Sequence, residues 1–123
     1  MAETSEPSIL SQKGCVAAAA SILGAKWTPQ ILYALYYNVC RFCELQKEVG
    51  GVNPRTLSAR LDDLENAGIV KKVCFAEVPP RVEYVLTEKG KDLVPILEGM
   101  AKWGEMHPPT AGQIAYHKST ESN

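Results

Sequence analysis

The sequence predicts a mainly α-helical domain completed by a small β-hairpin. Three observations carry this reading. Four apolar-periodic segments precede residue 68, and each is closed by a glycine or a polar break. Two runs rich in β-branched and aromatic residues then flank Pro79-Pro80. A last helical pattern follows, and Pro108-Pro109 forbids its continuation.

The first helix spans Ser8 to Leu23, is rich in alanine and aliphatics, and ends at Gly24. Thr28-Pro29 opens the second, with Thr28 as N-cap and Pro29 at the first helical position. Its core face is Ile31, Leu32 and Leu35, and it runs to about Tyr37. Phe42, Leu45 and Val49 have helical spacing and give a short third helix stopped by Gly50-Gly51. The fourth has the clearest pattern. Asn53 is a good N-cap, Pro54 fits the first turn, and Leu57, Leu61 and Leu64 form one apolar stripe before Gly68. Ile69 to Phe75 and Val82 to Leu86 read as strands. One last helix begins at Thr87-Glu88-Lys89-Gly90 and presents Leu93, Leu97, Met100 and Trp103 down to about His107. The domain therefore covers 8–107. Residues 1–7 are expected to be a disordered N-terminus, and 108–123 a flexible C-terminal tail. Two helices joined by a short Gly-Gly-Val turn and followed by a hairpin make a winged helix-turn-helix.

The chain has 123 residues, enough for one domain. No apolar run is long enough to span a bilayer, and 1–12 lacks the layout of a signal peptide, so a cytoplasmic location without membrane contact is expected. The formal net charge is −1, so any positive potential for a nucleic acid must be local.

That local potential has two candidate sources. On the fourth helix the stripe Leu57, Leu61, Leu64 leaves Arg55, Ser58, Ala59 and Asp62 on the opposite side, with Thr56 flanking. The first two turns of this outer face hold a cation, a hydroxyl and a small residue, with no acid before Asp62. Such a face suits a major groove: Arg55 bridges a guanine or a phosphate, Ser58 bonds either, and Ala59 allows close approach. The helix start at Asn53 and Pro54 favours a phosphate through the helix dipole. Arg60 lies nearer the stripe and serves either a phosphate or an intramolecular ion pair. The second source is the wing, where Val78-Pro79-Pro80-Arg81 presents Arg81 from a stiffened turn, the alternative being a solvated turn arginine. Arg41, ahead of the third helix, is a further phosphate candidate, and Lys26 and Lys47 are weaker ones.

These residues resemble the HxlR-type winged helix-turn-helix regulators, relatives of the MarR group. The matching pieces are Gly24-Ala25-Lys26-Trp27-Thr28, Arg41-Phe42-x-Glu44-Leu45, the segment from Thr56-Leu57-Ser58 through Gly68-Ile69-Val70, the wing Glu77-Val78-Pro79-Pro80-Arg81-Val82-Glu83-Tyr84-x-Leu86-Thr87, and Trp103-Gly104. The resemblance covers about Gly14 to His107, and the wing is its most specific part. It implies a homodimeric transcriptional regulator that binds double-stranded DNA, joined through the first and last helices. The surface Leu93, Ile96, Leu97, Met100, Trp103 exceeds what a core of this size needs and is the expected dimer interface. The alternative is that it packs on the helix-turn-helix. A twofold dimer would set two recognition helices roughly 34–36 Å apart on a pseudo-palindromic operator.

Four cysteines are present: Cys15, Cys40, Cys43 and Cys74. Many members of the family sense oxidants or electrophiles through a cysteine near the start of the first helix, which marks Cys15 as the candidate redox sensor. Aligned without gaps on Val16 and Gly24 to Trp27, however, Gly14 falls at the family's cysteine and Cys15 one position later. A one-residue shift turns a helical side chain by about 100°, so an inert interface thiol is the alternative. Cys40-Arg41-Phe42-Cys43 is formally C-x-x-C, yet a zinc site would have only His107 and His117 as further partners, both far along the chain. Cys74 reads as a small packed residue. No metal, cofactor or catalytic residue is expected, and no residue cluster identifies a small-molecule effector. The competing functions are a winged-helix protein-interaction module without DNA binding, and a C-x-x-C thiol oxidoreductase.

Overall fold

The computed structural model describes residues 9–110; the terminal expectations for 1–7 and for most of 108–123 lie outside them. The order is α1 (Ile9–Leu23), α2 (Thr28–Tyr36), α3 (Phe42–Val49), α4 (Pro54–Asn66), β1 (Val70–Phe75), β2 (Arg81–Leu86), α5 (Glu88–Lys91) and α6 (Val94–Met106). This is the predicted winged helix-turn-helix.

The core is the sum of the predicted stripes. Ile31, Leu32 and Leu35 of α2, Leu45 of α3 and Leu57, Leu61 and Leu64 of α4 are buried together with Trp27, Val52, Ile69, Val70 and Leu97. Each such aliphatic contributes about 1.5–3 kcal/mol by leaving water. Gly50 and Gly51, at φ 76° and 102°, make the turn that sets α4 across α3. The α4 C-terminus closes on Gly68 at φ 76°, where the amides of Gly68 and Ile69 donate to the carbonyls of Glu65 and Leu64.

β1 and β2 pair antiparallel, with Val70 opposite Leu86 and Phe75 opposite Arg81. The outer edge of β2 is also bound: the Tyr84 amide donates to the Cys40 carbonyl at 2.8 Å. The α2–α3 loop thereby acts as a third backbone rail, and it holds the wing root against the start of α3. Thr87 knots the other end. Its hydroxyl donates to the Gly68 carbonyl at 2.6 Å and accepts from the Gly90 amide at 3.1 Å.

Four expectations change. The cap of α2 is Trp27, in the left-handed region at φ 77°, while Thr28 is buried inside the first turn. Trp27 is drawn there because its ring joins the core, which outweighs the local capping preference of threonine. The single last helix is two, α5 and α6, because Pro95 has no N–H for the Lys91 carbonyl and its ring collides with that carbonyl in a continuous helix. Cys74 is exposed rather than packed, since the hairpin has left the core by that point. Leu97 is buried in the protomer's own core and Leu93 packs against it, so these two are not part of a free surface.

Candidate nucleic-acid interface

The N-terminal half of α4 is built as the leucine stripe requires. With Leu57, Leu61 and Leu64 turned inward, Arg55, Ser58, Ala59 and Asp62 are exposed and Thr56 is half-buried. Asn53 adopts extended backbone, and its Oδ1 accepts from the Thr56 amide at 2.8 Å. Asn53 and Pro54 are both exposed, so the remaining free amides of the first turn and the positive helix end face solvent. Among the described residues Arg55 makes no ion pair or hydrogen bond. Its charge is available.

Arg60 is committed. Its Nε donates to the Lys26 carbonyl at 2.8 Å, which straps α4 to the α1–α2 loop. This is a hydrogen bond to a neutral backbone carbonyl and not the intramolecular ion pair of the alternative, so Arg60 keeps its positive charge. Lys26 itself sits over the Trp27 ring at 5.1 Å.

The wing departs further from expectation. Its tip is Val78, Pro79 and Pro80, all exposed, and the Val78–Pro79 peptide is cis. Arg81 is not presented from this tip, nor is it a solvated turn arginine. It begins β2 opposite Phe75, and its guanidinium lies 4.0 Å from that ring's centroid. Nη2 meets Glu77 at 2.9 Å and Nη1 meets Glu83 at 3.0 Å. Arg41, the N-cap of α3, reaches the same Glu83 carboxylate at 4.0 Å, while its own amide donates to Glu44 at 3.3 Å. Two guanidiniums and two carboxylates thus form one neutral cluster across the corner between α3 and the wing. Arg41, Glu77, Pro79, Pro80, Arg81 and Val82 line a solvent-open recess of about 340 Å³ beside it.

Glu77 and Glu83 are residues that sequence reasoning passed over. The signal was present, because Glu83 is two positions after Arg81 and residues i and i+2 of a strand share a face. Lys71 and Lys72 were also passed over; both are exposed on β1, with no ion pair among the described residues.

The thiols are all free. Cys15 is exposed on α1, six residues past Ile9, beyond the first turn whose amides activate a thiol. Cys43 and Cys74 are exposed, and Cys40 is half-buried. Burial, and then the neighbouring Glu83 and Glu44 carboxylates, push the Cys40 thiol above its ordinary range. Such a thiol is a poor nucleophile at neutral pH. Among the described residues no His, Cys, Asp or Glu group is arranged to hold a metal, and no helix is long and apolar enough to cross a membrane.

The outward surface is apolar on two helices. Val16 of α1 and Ile96, Met100, Trp103 and Met106 of α6 are exposed. Ile96, Met100 and Trp103 recur at helical spacing on the side opposite buried Val94 and Leu97.

Comparisons with known proteins agree with this geometry. Residues 22–111 match the family described as HxlR-like helix-turn-helix. An HTH-type transcriptional regulator of Methanothermobacter thermautotrophicus is 39% identical over 103 residues, covering 81% of this chain and 79% of that protein. The oxidized form of the redox regulator HypR superposes with a TM-score of 0.73 at 35% identity, covering 77% of this chain and 98% of HypR. A MarR-family transcriptional regulator from Enterococcus faecalis V583 gives a TM-score of 0.69 at 31% identity, over 88% of this chain and 92% of that one. With the capped α4, the tethered wing and these matches in agreement, the chain belongs to the HxlR-like helix-turn-helix family of transcriptional regulators.

Proposed function

We propose that the protein is a cytoplasmic, non-enzymatic regulator that acts as a homodimer on double-stranded DNA, recognising a pseudo-palindromic operator. The observation that carries this reading is the outer face of α4. Arg55 is exposed and unpaired beside Ser58 and Ala59, at the positive end of a capped helix, on a protein with almost no net charge. A helix end of this kind places a planar two-donor group and a small residue together, which is the combination that reads a guanine edge in a major groove. Thr56, Asn53 and Pro54 then lie against the flanking phosphates. The exposed apolar residues of α6 and α1 support the twofold dimer that brings two such helices to one duplex.

A thiol response is the second part of the reading. Cys15 is its candidate residue because it is exposed on a helix of the proposed dimer face, and because HypR, to which this chain is similar, is described as a redox regulator. A C-x-x-C oxidoreductase is disfavoured by Cys40, whose thiol is pushed above its ordinary range by burial and then by the neighbouring Glu83 and Glu44 carboxylates.

Selection of bound duplexes from a random pool, followed by gel-shift titration, tests the assignment. Arg55→Ala should weaken binding to the selected operator by about 1–3 kcal/mol and relax preference at one position per half-site. An unchanged operator affinity would remove α4 from the role of reading helix.

A further inference from the structure

The corner between α3 and the wing holds two arginines, and each meets a carboxylate. Arg81 is fixed on three sides: by Glu77 at 2.9 Å, by Glu83 at 3.0 Å and by the Phe75 ring at 4.0 Å. Arg41 shares the Glu83 carboxylate at 4.0 Å and is itself about half exposed. Arg41, Arg81 and Glu77 line the same open recess, which a tetrahedral oxyanion on an extended backbone could enter. The Glu77 carboxylate sits in that recess where a phosphate oxygen would, and Glu83, outside its lining, holds both arginines from the wing side.

We propose that Glu83 and Glu77 are specificity-determining residues: they occupy Arg81 and Arg41 in the free protein and so suppress sequence-independent phosphate binding at the wing. The inference rests on the DNA-binding reading above. Its physical basis is a competition for the same donors. Sequence-independent affinity comes from cations that neutralise backbone phosphates and release counterions. A guanidinium already neutralised by a carboxylate gains little by exchanging it for a phosphate, because one charge-assisted pair replaces another. It also brings the displaced carboxylate close to the phosphate, which costs Coulomb energy. Arg55, on the helix that reads bases, has no carboxylate partner among the described residues, so the pairing withdraws two arginines at the wing from phosphate binding and leaves the charge of the reading helix in place.

The test is titration of a random-sequence duplex at several salt concentrations, reading the slope of log affinity against log salt. Each freed arginine should steepen that slope by about 0.9, or about eightfold in affinity per tenfold change in salt. Glu83→Gln is expected to steepen it by one to two such contacts and to narrow the ratio of operator to random-sequence affinity. Glu77→Gln alters a half-exposed turn residue and leaves Glu83 in place, so it serves if Glu83→Gln disturbs the strand; it should give a smaller change of the same sign. Glu105→Gln on α6 makes the same change in net charge outside the wing and should leave the slope unaltered. Adding Arg81→Ala to Glu83→Gln should return the slope toward that of the unmodified protein. If both wing variants behave like Glu105→Gln, or if the steeper slope survives Arg81→Ala together with Arg41→Ala, the proposal is overturned while the operator-binding function stands. If the unmodified protein binds no duplex at any salt concentration, the DNA-binding reading fails and takes the proposal with it.

Discussion

Four arginines meet three different fates. Arg55 follows a proline in the first turn of α4, where inward leucines leave it solvent and nothing else. Arg60, five residues on, has turned far enough round the helix to reach the Lys26 carbonyl. Arg81 and Arg41 meet in one carboxylate. The exposure of Arg55 was legible because helical periodicity alone dictates it. The commitment of Arg41 to Glu83 was not, since 42 positions separate the two and only the fold brings them within 4.0 Å. The thiols divide in the same local way. Cys15, Cys43 and Cys74 are open to reagent, whereas Cys40 is half-buried and faces Glu83. A raised pKa leaves less thiolate at any pH below it, so Cys40 should react slowest. Mass-spectrometric mapping of alkylation at pH 7.5 is expected to find Cys15, Cys43 and Cys74 modified well before Cys40, with Cys40 catching up as the pH rises. Equal rates for all four at neutral pH would contradict this placement. The same sign applies to stability: a thiol proton held more tightly in the folded state gives a contribution present at neutral pH and lost as pH rises through the folded pKa.

Among the elements, the helices with local signals at both ends were the best read. α4 carries its own cap, its own stripe and its own terminating glycine, and it runs as expected from Pro54 to Asn66. Both strands end as expected, at Phe75 and Leu86, and only their starts differ by one residue; β2 begins at Arg81 because its pairing with Phe75 is a property of the hairpin and not of either run. The break between α5 and α6 was hidden by an apolar spacing that remains helical across it, although Pro95 was in view. Thr87 and Gly90 form the joint that most tightly couples the wing to the helices. A β-carbon at Gly90 would collide with the Ile69 carbonyl oxygen and press the Leu86 side chain at 3.2 Å. The carbonyl is backbone and already accepts from the Thr87 amide at 3.0 Å, so it cannot step aside. Gly90→Ala is therefore expected to destabilise the domain by roughly 1–3 kcal/mol. In urea denaturation this appears as a lower midpoint at unchanged slope. An unchanged midpoint would mean that the joint relaxes freely.

For the molecule as a whole, the sequence carried the architecture but not the division of labour along α6. The residues Leu93, Ile96, Leu97, Met100 and Trp103 look like one face in a list. In space Leu97 is 4% exposed and Trp103 is 63% exposed. One side completes the protomer core, and the other leaves Ile96, Met100 and Trp103 exposed. Periodicity could not make this split, because a helix apolar on both sides shows no sharp boundary between them. We expect Met100→Glu to shift the protein toward monomer in sedimentation equilibrium while its far-ultraviolet circular dichroism stays near that of the unmodified protein. Loss of folded signal would show that this side is as much part of the core as Leu97. An unchanged mass would remove α6 from the interface.

The two-sided α6 has a consequence for how such a regulator responds to its own abundance. With the proposed seam and the protomer core sharing one helix, each association event also shields the back of the core from water. Folding and pairing then draw on the same free energy, and both follow mass action. In the proposed dimer, a chain below the dissociation constant of the pair would lose its twin and part of its fold reserve together. Occupancy of a two-half-site operator would then rise more steeply than in proportion to the amount of chain, so the cellular dose of the protein becomes one of its inputs.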